Sequence, residues 1–119
     1  MGLTHREQFN KRHGFAKDAS HSKADLKKIT GIPSWALDEI YDRGIGAHAT
    51  NLKSVRLKGS FVKNVDAPAS AKLSPEQWAM ARIYAFINKI EAGRTLNHDL
   101  DVFKKVKHLI KHYMGVQTT

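Results

Sequence analysis

The sequence predicts an all-α protein: a small bundle of four to five helices with one long irregular loop, about residues 44–73, packed over it. Three observations lead there. Four stretches begin after a Ser or Thr suited to an N-cap and stop at a glycine, at Thr4/Gly14, Ser22/Gly31, Ser34/Gly44 and Ser74/Gly93. Only "SVRLKGSFVKNV" alternates, and weakly, so it offers at most one or two short extended pieces. The chain has 119 residues and no cysteine, enough for one domain with a single core and no disulfide staples.

The elements follow in order. Residues 1–21 form an N-terminal arm or short helix from Thr4 to His13, 22–114 the helical core and 115–119 a tail. Ser22 caps "KADLKKIT", and Ser34 caps "WALDEIYDR" up to Gly44. Leu26, Ile29, Ile32, Leu37, Ile40 and Tyr41 give those two helices a shared apolar set. Pro68 to Ala71 reads as a connector. Ser74, Pro75, Glu76 and Gln77 then make a capping-box start for a helix that Gly93 closes. Ala79, Ile83, Phe86 and Ile90 form its stripe, widened by Trp78, Met80 and Ile87, so it belongs at the centre. The last helix is expected from Asn97 to Gly115, with Leu100, Phe103, Val106, Ile110 and Tyr113 or Met114 facing inward. Its acids precede its lysines, the order the helix dipole favours.

Charge narrows the function classes. Twenty Lys and Arg against 11 Asp and Glu give a net charge of +9, which favours nucleic acid or an acidic protein surface as partner. Residues 43–72 are the most basic part, with six basic residues and one acid, whereas 32–42 carry three acids and no base. Without cysteine there is no thiolate metal site. No apolar run approaches the ~18 residues of a membrane span. The N-terminus lacks a secretory core, and Arg6 stands where myristoylation wants Ser or Thr. A soluble, intracellular-type protein is expected.

Catalytic patterns find little support. His108 and His112 have the i, i+4 spacing of zinc ligands, but Leu109 occupies the position of a metalloprotease's Glu and no third ligand accompanies them. His98, Asp99 and Asp101 read as a helix start with acids in its first turn. "GIGA" follows a helix, which argues against a dinucleotide fold, and no cofactor or small-molecule substrate is indicated. "DLKKITGIPSWALDEIYDRG" has the layout of a helix-turn-helix. Its outward residues, however, would be Trp35, Asp38, Glu39 and Asp42, three acids on a surface meant to approach phosphates.

In the loop, Arg43, Lys53, Arg56, Lys58, Lys63 and Lys72 surround Phe61. The four lysines are candidate contacts for a nucleic-acid backbone, against the alternative of a solvated basic surface. Arg43, Arg56 and Arg82 could instead be buried, binding loop carbonyls and helix ends; the apolar setting of Arg82 favours this for it, and both readings stand for Arg43.

Tyr41, Arg43, Gly44, Gly46 and Ala47, then Thr50 and Asn51, then Ser54, Val55 and Arg56, then Trp78, Ala79, Ala81 and Arg82 compose the pattern Y-x-R-G-x-G-A, T-N, S-V-R, W-A-x-A-R. Over about residues 24–101 this resembles an uncharacterised domain family of tailed phages and large double-stranded DNA viruses of algae. His48 and Leu52 depart from the Trp and Pro of that pattern. The resemblance implies a viral origin and association with virion proteins. Arg43, Gly44, Gly46, Thr50, Asn51, Arg56 and Arg82 are then expected to anchor the loop or contact a partner, with both glycines at positive φ. The expected protein is a non-enzymatic component of a capsid, vertex or tail, in the virion and in host cytoplasm during infection. Its partners would be virion proteins and double-stranded DNA, with no membrane. The alternative is a free nucleic-acid-binding protein of helix-turn-helix-like architecture made during infection.

Overall fold

A computed structural model describes residues 3–50 and 73–113 and the backbone of Gln117–Thr118. It is all-α. The helices are α1 (His5–His13), α2 (Lys23–Thr30), α3 (Ser34–Thr50), α4 (Pro75–Glu91) and α5 (Leu100–Val106), the last continued by a 3-10 turn at Lys107–Leu109. Two-residue strands β1 (Thr95–Leu96) and β2 (Gln117–Thr118) pair in parallel, so the expected tail is tied back to the segment after α4. Among the described residues no helix is long and apolar enough to cross a membrane.

The caps explain most boundaries. Thr4, Ser22 and Ser74 each accept a bond from the N3 amide while the N3 side chain, Glu7, Asp25 or Gln77, returns one to the cap amide. Gly14, Gly31 and Gly93 take positive φ at or just past helix ends. At Gly31 a Cβ would collide with the Leu109 carbonyl oxygen, so the glycine is fixed by close approach as well as by its φ of 83°. Thr30, fully buried beside it, donates from Oγ1 to the Leu26 carbonyl and accepts from the Ile32 amide.

Three expectations need correction. Helix α3 does not stop at Gly44 but continues through Gly46 to Thr50, so the start of the expected loop is helical. Neither glycine has positive φ. The last helix starts at Leu100, gives way to the 3-10 turn after Val106, and leaves Tyr113 exposed against Phe103, ring centroids 5.7 Å apart. Asn51, Lys53, Arg56, Lys58, Lys63, Lys72 and Met114, for which the sequence sets expectations, and the extended pieces expected around 54–65 lie outside the described residues.

Helix α4 lies at the centre, burying Ala79, Ile83, Tyr84, Phe86, Ile87 and Ile90. Against them pack Leu26, Ile32, Leu37 and Ile40 from the α2–α3 pair and Val102, Phe103 and Val106 from α5. The N-terminal arm is part of the core too: Phe9 is fully buried, 5.5 Å from the Tyr84 ring. Trp78 sits at the rim, its ring 6.5 Å from His48. Helices α3 and α4 run antiparallel, since His48 Nε2 meets the Leu73 carbonyl at 2.9 Å while Gly44 meets Ala79 further along.

Gly44 has a packing reason to be glycine. A Cβ there would lie 2.7 Å from Ala79 Cα and 3.0 Å from its Cβ, whereas one at Gly46 would meet nothing within 4 Å among the described residues. The two positions are therefore expected to separate. Gly44→Ala pushes the helices apart and costs about 1–3 kcal/mol. Gly46→Ala is neutral or up to about 1 kcal/mol stabilising, because it only removes backbone entropy from an exposed helical site. Urea denaturation of the two variants decides; equal effects would refute the close-approach assignment.

Candidate functional site

The polar residues picked out by sequence converge at the start of α5. Helix α3 places Glu39 and Arg43 one turn apart, α4 supplies Arg82, and Asp99 and Asp101 flank the first residue of α5. Arg82 grips Asp99 with two nearly parallel bonds, Nε to Oδ2 at 3.0 Å and Nη2 to Oδ1 at 2.9 Å. Arg43 Nη1 donates to Asp99 Oδ1 at 3.0 Å and to Asp101 Oδ1 at 2.9 Å, while its Nη2 reaches Asp101 Oδ2 at 2.6 Å and its Nε reaches Glu39 at 3.2 Å. Such forked pairing is what guanidinium geometry suits best.

Asp99 is the hub. Its side chain is only 2% exposed, against 29% and 26% for those of Arg43 and Arg82. Its backbone is left-handed (φ 61°, ψ 28°), a conformation Asp tolerates better than most residues. It stands at the N-cap of α5, where a place in the first turn was expected, and makes no side-chain capping bond to the helix. Instead the left-handed turn brings its carboxylate to the two arginines. Arg43, in turn, holds the Asp101 carboxyl well below the usual carboxylate range, chiefly by their hydrogen bonds. Asp101 and Asp99 raise the Arg43 pKa in return.

The candidate anchor set thus divides. Arg43 and Arg82 come together through Asp99, binding carboxylates and not the loop carbonyls favoured for Arg82 and left open for Arg43. Gly44 serves the α3–α4 contact beside them. Gly46 makes no such contact, and Thr50 Oγ1 lies 3.2 Å and 3.3 Å from the Gly46 and Ala47 carbonyls of its own helix. His108 falls in the 3-10 turn and His112 in the turn after it, so the helical i, i+4 pairing is not formed. Among the described residues no three His, Cys, Asp or Glu side chains are placed to hold a metal.

A second cluster was missed by sequence reasoning. Glu91, its side chain 1% exposed, accepts at Oε1 from Arg12 Nε (2.9 Å) and Nη2 (2.7 Å) and lies 2.7 Å from His13 Nε2. Arg12 also donates to Asn88 Oδ1 at 2.6 Å, and Asn88 donates to the His5 carbonyl at 2.7 Å. The available signal was spacing: Glu91 continues the Ile83–Ile87 line at four-residue intervals on the helix's buried side.

The fold and these clusters define a small helical domain whose arginines lock its elements together through buried carboxylates. The chain belongs to the family of unknown function DUF5824, which matches residues 3–108. Comparison with curated proteins and with solved structures finds no match.

Two outcomes test the cluster. Asp99→Asn keeps a residue suited to positive φ but takes the carboxylate from Arg82, while Arg43 retains Asp101 and Glu39, and it is expected to cost somewhat less than the about 3–5 kcal/mol of a broken buried pair, since water reaches both arginines. Asp101 is exposed, so Asp101→Asn should lower the melting midpoint at neutral pH measurably but by less than Asp99→Asn does. Its folded pKa is depressed, so its stabilisation is present above the unfolded value near 4 and is lost as pH falls below it. Acid titration by circular dichroism should therefore show a shallower acid limb for Asp101→Asn; an identical limb would contradict the Arg43 pairing.

Proposed function

We propose that the protein is a non-enzymatic structural component of a virus particle, seated at a minor capsid, vertex or tail interface and able to touch packaged genome. The viral assignment rests on the Y-x-R-G-x-G-A, T-N, S-V-R, W-A-x-A-R resemblance. The protein-contact assignment is supported by one surface. At the start of α3, Trp35 is 50% exposed, and Asp38, Glu39 and Asp42 are exposed on the turns that follow it. An exposed tryptophan among carboxylates has the composition of an interface anchor for a basic neighbouring subunit. Arg43 and Arg82, engaged on Asp99, help hold that helix in place and are not available to a substrate.

The alternative, a free nucleic-acid-binding protein, draws on the α2–α3 pair, which turns at Gly31 as a helix-turn-helix does. Those same acids oppose it, because α3 would bring them against phosphates, although Lys23 pairs with Asp38 at 2.7 Å and Arg43 with Glu39 at 3.1 Å.

Mass spectrometry of particles purified from infected cells is the direct test, with the protein expected at fixed copy number. Trp35→Ala combined with Asp42→Lys should leave the melting curve unchanged and lower that copy number severalfold. Absence of the parent protein from particles sinks the reading.

A further inference from the structure

The five arginines among the described residues all bond to their own chain: Arg6 to Ser20, Arg12 to Glu91, Arg43 to Asp99 and Asp101, Arg82 to Asp99, and Arg94 to Gln8. Most of the described lysines are given no such bond, and the fold gathers six lysines, of which Lys111 alone is given a side-chain bond. Helix α2 ends on Lys27 and Lys28, and α5 with its 3-10 turn carries Lys104, Lys105 and Lys107, followed by Lys111; all six are exposed. The end of α2 is far in sequence from the Leu109–Lys111 segment that follows α5, but the two meet in space. The Lys111 amide donates to the Thr30 carbonyl at 2.9 Å, its Nζ donates to the Lys28 carbonyl at 2.8 Å, and Leu109 closes over Gly31. No acid occurs in 26–31 or in 102–113. None of the six lysines forms an ion pair among the described residues.

Each helix end alone has a sufficient reason for its lysines, because cations are favoured at the negative end of a helix dipole. Joining the two ends has no such reason. It concentrates like charge that Asp25 and Asp101, the nearest acids on the two helices, offset only in part, and an external polyanion would relieve the repulsion.

We propose that this joined face, formed by the C-terminal ends of α2 and α5, binds the phosphate backbone of duplex DNA without sequence preference. The inference rests on the reading above, to which it adds the surface that meets the genome. Lysines are flexible point charges without the fork that reads guanine, so contact is confined to the backbone. A single-stranded ligand is disfavoured because Tyr113, the exposed tyrosine beside the patch, is tilted against Phe103 and offers no run of stacking rings. The face differs from the candidate contacts Lys53, Lys58, Lys63 and Lys72.

The test is fluorescence anisotropy of the full chain with a random-sequence duplex over a salt series. Lys28→Gln, Lys104→Gln and Lys107→Gln are combined; Lys111 is left intact because it caps α2. The parent should bind, with log affinity falling linearly in log salt, and the triple variant should lose about 0.9 units of slope per contact removed. Its melting curve should match the parent's, and the Lys→Arg triple variant should restore binding. A combined Lys53, Lys58 and Lys63→Gln variant should keep most of the slope. The proposal is overturned if the parent does not bind, if the Gln triple keeps the parent's slope, or if single strands bind more tightly than duplex. Particle copy number is read separately. A protein present in particles but unable to bind duplex leaves the virion reading standing and removes this one; duplex binding at this face by a protein absent from particles does the opposite.

Discussion

One carboxylate, that of Asp99, fixes the geometry on which much of the described fold depends. It is buried, its backbone is left-handed, and two guanidinia from different helices converge on it. A carboxylate so enclosed must be paired, since an isolated buried charge is far less favourable than a solvated one. The requirement runs the other way too: the arginines lie where they do because Asp99 is presented to them by the turn between β1 and α5. The mutual registration of α3, α4 and α5 follows from that single junction.

Glu91 does the same at the other end of α4. Its Oε1 gathers Arg12 and lies against His13, so α1 is held against the central helix by a charged contact as well as by Phe9. Its Oε2 is buried without a hydrogen-bond partner among the described residues, and the pairing shown falls on one oxygen. The central helix thus has ionic junctions on both sides of an apolar middle. Buried ion pairs add little net stability over apolar packing, but mispairing them is costly, and that favours a single arrangement of the helices.

Much of this was legible in the sequence. Thr4, Ser22 and Ser74 announce their helices because a cap is a local device, complete within four residues. The stripe of α4 was visible for the same reason. Gly44 was misjudged because glycine has two uses, and the sequence around it cannot say whether backbone twist or close approach is wanted; the answer lies with Ala79 on another helix. Arg43 and Arg82 were recognisable as important, yet their common partner is set by tertiary structure, 56 and 17 residues away. Glu91 was overlooked because a glutamate at the end of a helix usually faces water.

The division of labour between the two basic residue types separates the chain's charge from its architecture. Arginine keeps its charge at any accessible pH, so the junctions it makes persist wherever their carboxylates stay ionised. Lysine amines accept acyl groups, which remove their charge. Acylation confined to the exposed lysines that make no internal bond would therefore lower the net charge of the molecule stepwise while leaving Asp99 and Glu91 gripped as before. The surface potential is an adjustable property of this protein, and the fold beneath it is held by groups of a different chemistry.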